Sequence, residues 1–226
     1  MPQDLPVRLP PTMIGLAIST HRRPAVLAKA LAGWAAAEVP DLLVVTHDVN
    51  GDGVAATKNR GIAALMADPR IEHLFLADDD IWPVRSHWWA PYVRSGQPHL
   101  MHVWGKRRFI REDPELGLSE WTWPRGVLLY VTREVVDRVG GMRTEFHQAG
   151  EHAEWSRRIY SCGFTRAPFQ DALAAKSGIW HCLDYTRAVP SSLPAQRYSP
   201  EDTQRRHELY DRFRGSTDFV EYRNRL

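Results

Sequence analysis

Cysteine is nearly missing from this chain. Cys162 and Cys182 are the only two, too few for a disulfide framework, and they favour a reduced, cytoplasmic protein. Long apolar runs are missing too. No stretch approaches the roughly 20 residues of a transmembrane helix, so no membrane span is expected. The N-terminal MPQDLPVRLPPT has no charged start followed by an apolar core and does not read as a secretory signal. An excess of one charge is also absent. A formal net charge of +2 gives no global field that would demand nucleic acid or a membrane as partner. The ten histidines include no H-E-x-x-H, and the cysteines have no paired spacing, which speaks against a zinc hydrolase. No glycine-rich loop follows the first apolar run, which counts against a nucleotidyltransferase. Internal repeats and low-complexity segments are absent as well.

What is present is an ordinary globular balance, 43% hydrophobic and 25% charged over 226 residues. That length suits one large domain, or one domain with an appendage. The sequence divides into a body over 1–198 and a charged, amphipathic tail over 199–226. MIGLAIS (13–19) has the length of a buried strand. Pro24 opens a helix carrying Leu27, Leu31 and Trp34 on one face, and Pro40-Asp41 ends it. LLVVTH (42–47) is a second strand, Lys58 to Met66 a second helix, and HLFLA (73–77) a third strand. Strand alternating with helix predicts βαβ units on a mostly parallel sheet, an α/β fold. Ligands of such sheets bind beyond the carboxyl ends of the strands, and all three ends here are polar. Further on, GVLLYV (126–131) reads as a strand and Thr132 as the cap of a short helix stopped by Gly140-Gly141. Glu151 to Ser161 reads as a helix and IWHCLDY (179–185) as a last strand. Ser199-Pro200-Glu201-Asp202 has the chemistry of a helix start.

The third strand delivers three carboxylates in a row, Asp78, Asp79 and Asp80. Adjacent like charges repel, and each is costly to desolvate alone. Either water solvates them in a turn or a cation holds them. The apolar run in front and Ile81-Trp82-Pro83 behind limit solvation. An Asp-x-Asp pair at a strand end suits a hard divalent ion, Mn²⁺ or Mg²⁺, which takes few carboxylates and leaves positions for phosphate oxygens. Asp78 and Asp80 would then face the ion, with Asp79 turned away or in support.

Several stretches together carry a resemblance. STHRRP (19–24), KNRGIAAL (58–65), the Asp78–Asp80 run, GGMRTEF (140–146) and AGEHAEWSRRIYSCGF (149–164) follow one another in the order of a GT-A fold glycosyltransferase of the family 2 type. The last stretch is also similar to the glutamate-bearing helix of polypeptide N-acetylgalactosaminyltransferases. The resemblance implies a Rossmann-like GT-A sheet flanked by helices and a metal-dependent transfer of sugar from a nucleotide-sugar, a UDP-sugar by family habit. It implies Asp78 and Asp80 as metal ligands, with His181 either completing the metal shell or serving as a structural histidine. Thr20, His21, Arg22, Asp48, Asn59, Arg60, Asp78 and Asp79 would meet the donor nucleotide. Asp48 could equally be a turn acid, and Arg60 a surface helix residue. Glu151, His152 or Glu154 would take the acceptor proton. The family commonly has Glu-Asp where this chain has Glu151-His152, so the base is open. If these residues have no such role, Glu151 and Glu154 would lie on a surface helix paired with Arg157 and Arg158.

The nine tryptophans are expected mostly in the core, with one or two as stacking platforms for a sugar on the acceptor side. GKRRFIR (105–111) interleaves Lys106, Arg107, Arg108 and Arg111 with Phe109. It reads as a basic loop closing over the donor diphosphate, or as a patch for nucleic acid. The acceptor therefore stays open among glycan, protein and modified nucleic acid. The rival reading is a carbohydrate- or nucleic-acid-binding module without catalysis, or a transferase acting on modified DNA.

Overall fold

The computed structural model describes residues 13–103, 109–123, 126–147, 149–176, 178–183 and 199–223. Strand β1 (Met13–Thr20) leads to helix α1 (Pro24–Ala37), then β2 (Leu42–His47), α2 (Val54–Met66) and β3 (Ile71–Asp78). The five elements are those the sequence predicts. The largest difference is that α2 starts at Val54, because Gly53 at φ 93° turns the chain and Ala55 and Ala56 continue the helix ahead of Lys58.

After β3 come β4 (Ile81–Pro83), α3 (Ala90–Arg94), β5 (His99–Met101), β6 (Phe109–Asp113), β7 (Leu118–Trp121) and β8 (Leu128–Thr132). Helices α4 (Arg133–Val139) and α5 (Glu151–Ser161), strands β9 (Gln170–Ala172) and β10 (Trp180–Cys182), and helix α6 (Pro200–Arg212) complete the order. Thr132 does precede α4, but its side chain makes no capping bond. Ser199 does cap α6, accepting from the Asp202 backbone N–H at 3.1 Å.

The central sheet has the order β2-β1-β3-β8-β5. β1 is parallel to β2 and β3, while β8 is antiparallel to both β3 and β5. Four strands thus run one way and only β8 opposes them. The chain steps from β1 outward to β2 and back across to β3, so the order reverses between β1 and β3, where α/β sheets place their ligands. Side chains of β3 alternate between two cores. Leu74 and Leu76 join Ile62, Leu65, Val135 and Trp155 on one face. Phe75 and Ala77 join Trp34, Trp88 and Tyr92 on the other. The sheet is therefore covered on both sides, as strands with near-continuous apolar runs require. Two small sheets, β4 with β10 and β6-β7-β9, lie outside it. No helix among the described residues is long and apolar enough to cross a membrane.

Four tryptophans are buried in the core, Trp34, Trp88, Trp121 and Trp155, and four more pack against it. Trp82, Trp89, Trp123 and Trp180 are half-buried. Lys106, Arg107 and Arg108 of the basic stretch, and Trp104, lie outside the described residues. Arg111 is held by Glu120 through two 2.8 Å bonds.

Candidate active site

The three aspartates end β3 at the reversal of strand order, where Arg23 meets Asp79 and Asp80 and Lys58 meets Asp78. Asp79 is fully buried. It accepts from the Thr20 hydroxyl at the end of β1 and from the Arg23 guanidinium at the start of α1. Burial pushes its carboxyl up, and Thr20 and Arg23 offset part of that push. Arg23 reaches on to Asp80 at 3.2 Å. Asp78 keeps some exposure, 30% of its side chain, and faces the Lys58 ammonium at 3.2 Å. The turn itself is fixed by its backbone, with Asp78 N–H donating to Val127 and Leu183 N–H donating to Asp80.

Lys58 is the second centre. Its side chain is 2% exposed and lies 3.2 Å from both Asp78 and Glu151. It also donates to the Gly126 carbonyl at 3.2 Å. Burial alone would pull its ammonium down, but Asp78 and Glu151 outweigh burial and hold it up. Glu151 is the mirror case. Burial would push its carboxyl up, yet Lys58 and His152 keep it well below the usual carboxylate range. Glu151 Oε1 accepts from Lys58 and from His152 Nδ1, both at 3.2 Å. An unbroken path of contacts thus joins Asp78 on β3, Lys58 on α2, and Glu151 and His152 on α5.

Beside this centre, His21 Nδ1 lies 3.1 Å from the Asp48 carbonyl and 3.4 Å from its carboxylate. Asp48 is buried and accepts from the backbone N–H groups of Asp52 and Gly53 at 2.8 and 3.2 Å. Its carboxylate therefore organises the turn ahead of α2, the turn-acid reading.

Other predicted site residues are placed elsewhere. Asn59 does not face an open site. It is 1% exposed, and both ends of its amide hold the Met142 backbone, at 2.8 and 2.7 Å. Arg60 braces the Asp48–Gly53 turn from outside, donating to Asp52 at 2.9 Å and to the His47 carbonyl at 3.0 Å. Arg22 is exposed, with a left-handed backbone at φ 53° that turns Arg23 inward in its stead. Glu154 is bound to Arg158 at 2.9 Å and to Arg143 at 3.2 Å. The surface-helix reading of α5 fails as well: Glu151, Glu154 and Arg158 are all buried, and Arg157 lies over the rings of Trp123, Phe169 and Tyr210. His181 lies against the Trp82 indole, centroids 4.5 Å apart. Among the described residues, no group of three or more His, Cys, Asp or Glu could hold a metal, so His181 does not close a shell with Asp78 and Asp80.

Sequence reasoning passed over Arg23 and Lys58. Arg23 stood next to the residue chosen, and neighbours in a turn seldom point the same way. Lys58 had a usable signal: it is the one charge in VAATKN, between small residues that pack closely.

No protein-family model matches the chain, and no curated protein matches it significantly. Solved structures do. The catalytic domain of Drosophila β1,4-galactosyltransferase 7, crystallised with xylobiose, aligns over 86% of this chain and 79% of its own, with a TM-score of 0.50 and 15% identity. The Pyrobaculum calidifontis mannosyltransferase PcManGT, in complex with GDP-Man and Mn²⁺, covers 71% of this chain and 55% of its own, with a TM-score of 0.46 and 14% identity. TarS from S. aureus covers 66% and 34%, with a TM-score of 0.48 and 12% identity. The galactosyltransferase likeness shows the fold: a GT-A α/β domain with a mostly parallel central sheet, as the sequence resemblance implies.

Proposed function

We propose that the chain is a glycosyltransferase that uses a divalent cation and moves a sugar from a nucleotide-sugar, a UDP-sugar first among those to test, to an acceptor hydroxyl. One observation carries this reading. The acids that follow β3 lie at the strand-order reversal of a GT-A sheet, and two of them, Asp78 and Asp80, keep side-chain surface that Asp79 has given up. A divalent ion fits that donor set as a site completed by substrate. Mg²⁺ and Mn²⁺ are commonly held by one or two carboxylates together with phosphate oxygens, and Asp78 and Asp80 supply that number. When bound, the ion would neutralise the donor diphosphate and favour its departure.

The rest of the work falls to the chain's own residues. Asp79, anchored by Thr20 and Arg23, fixes the turn that aims its neighbours. Arg23 offers a guanidinium beside the same acids, a group suited to phosphate oxygens. His21 is partly exposed at the mouth of β1 and is the predicted donor-binding residue best placed to meet a nucleotide. Drosophila galactosyltransferase was crystallised with xylobiose, so a glycan is the first acceptor class to examine.

Calorimetric titration of UDP, with GDP and CDP as comparisons, tests the reading with and without Mn²⁺. Wild type is expected to bind UDP only with Mn²⁺, and Asp80→Asn to bind it about tenfold or more weakly. Failure of every nucleoside diphosphate to bind under either condition would overturn the assignment.

A further inference from the structure

The two acids proposed for the divalent ion each face a cation of the chain already. Arg23 Nη1 lies 3.2 Å from Asp80 Oδ2, and Lys58 Nζ lies 3.2 Å from Asp78 Oδ1. Among the described residues, no group of three or more His, Cys, Asp or Glu is gathered to hold a metal. An ion arriving alone would thus find two carboxylates, both matched. It would also meet the repulsion of the two cations that match them.

The two resident cations are not held alike. Lys58 is 2% exposed and is shared among Asp78, Glu151 and the Gly126 carbonyl. With three acceptors and almost no surface, it is fixed. The Arg23 side chain keeps 18% exposure and divides its nitrogens. Nε and Nη2 form a fork on Asp79, and only Nη1 reaches Asp80. Arg23 can therefore give up Asp80 while its fork stays on the buried Asp79 carboxylate. No buried charge is stranded by that exchange. Nη1 then needs a new acceptor, and a phosphate oxygen is one that a guanidinium takes well.

On these grounds we infer that Arg23 is a displaceable counter-ion, the inference resting on the glycosyltransferase reading above. It holds Asp80 against divalent ions that arrive alone and releases it when a nucleoside diphosphate arrives as well. The diphosphate supplies negative charge between the ion and the guanidinium, and its oxygens take over Nη1. Arg23 thus acts as a positioning residue that couples the two binding events. By linkage, each ligand must then raise the affinity for the other by the same factor.

Electron paramagnetic resonance of free Mn²⁺ measures the affinity for the ion with and without UDP. Calorimetry of UDP with and without Mn²⁺ measures the reciprocal effect. In wild type, UDP is expected to tighten Mn²⁺ binding about tenfold or more. Arg23→Gln is expected to bind Mn²⁺ alone about tenfold more tightly than wild type does, and to lose most of the tightening by UDP. That variant leaves Asp79 buried without its cation, so circular dichroism checks its fold and Arg23→Gln/Asp79→Asn is measured beside it. The double variant removes one charge of each sign and keeps the net charge of the site. It is still expected to bind Mn²⁺ alone about fivefold or more tightly than wild type, because Asp80 is released. A folded variant that binds Mn²⁺ alone within about twofold of wild type, or more weakly, overturns the inference. So does a wild type that binds Mn²⁺ and UDP with no effect of one on the other. Failure of wild type to bind any nucleoside diphosphate removes the underlying glycosyltransferase reading instead. The Mn²⁺ affinities without nucleotide and the UDP titrations are separate readings, so the two failures are told apart.

Discussion

Asp79 is the residue of the acidic run that the fold keeps for itself. Its burial between Thr20 and Arg23 eases the repulsion that three adjacent carboxylates create, because a cation stands against each of them: Arg23 against Asp79 and Asp80, Lys58 against Asp78, which alone keeps substantial exposure. That division was partly legible: the alternation of a strand end puts the middle residue on the other side from its neighbours. Its partners were not, since the contacts run 59 residues to Thr20 and 56 to Arg23, and only the parallel pairing of β1 with β3 brings them together. The same distance hid Lys58, which is 93 residues from Glu151. His99 shows a buried histidine with no call on catalysis. Its Nδ1 meets the Tyr130 carbonyl and its Nε2 the Ser156 hydroxyl, both at 2.8 Å. Burial pulls its pKa from 6.5 to about 4, and the bond to Tyr130 opposes this only in part. The folded state thus binds the His99 proton less readily than the unfolded chain does. Stability from this residue is complete above about pH 6.5 and is lost as the pH falls toward 4. Urea unfolding should show wild type losing on the order of 3 kcal/mol more than His99→Gln between pH 7 and pH 4. Parallel pH dependence in the two proteins would count against a neutral buried imidazole.

At the scale of elements, α2 gathers most of the site's support. Three consecutive residues leave it in three directions: Lys58 toward Asp78 and Glu151, Asn59 toward the Met142 backbone, Arg60 toward the Asp48–Gly53 turn. The N-terminal half of this helix is held by polar partners, and the apolar face of Ile62 and Leu65 holds only its C-terminal half. For that reason the periodic reading found its C-terminal half and missed Val54–Thr57, where small residues sit under Gly53. β1 and β3 were legible because burial on both faces forces continuous apolar runs, and α1 because Leu27, Leu31 and Trp34 recur on one face. The short strands between Ile81 and Trp121 were not, because their pairing is set by distant partners: β4 pairs with β10 and β7 with β9. Asn59 gives the element-scale test. Asn59→Ala would leave the Met142 N–H and carbonyl without their 2.7 and 2.8 Å partners. An unpaired buried group costs about 1–3 kcal/mol, so a loss of roughly 2–4 kcal/mol is expected in chemical denaturation. A loss below about 0.5 kcal/mol would mean that α2 and the Gly140–Met142 segment are held together by packing alone.

For the whole molecule, the division of the sequence at residue 199 does not describe how the chain packs. The segment after α6 is anchored in the core by one ring. Tyr222 is 1% exposed and shares a cluster with Val139, Met142, Trp155 and Ile159. Val220 bridges Gly140, Phe213 lies under the Arg143 guanidinium at 4.0 Å, and Arg158 donates to the Asp218 carbonyl at 3.3 Å. The composition of the tail concealed this. Its arginines and acids dominate any charge count, and Tyr222 falls in no periodic run that would announce a buried ring. The consequence concerns the site directly, because α4, the glycine pair after it and α5 are all braced by this segment, and α5 carries Glu151 and His152. Replacing one buried aromatic by alanine typically costs about 3–5 kcal/mol, and whole domains are stable by only about 5–15 kcal/mol. A chain ending at residue 198 loses Tyr210, Phe213, Val220 and Tyr222 together and should have no cooperative thermal transition by circular dichroism, whereas the full chain melts in one step. A sharp melt of the shortened chain within a few degrees of the full one would show instead that residues 199–226 form a separable appendage. The arginine contacts described above would then contribute as little as exposed ion pairs commonly do.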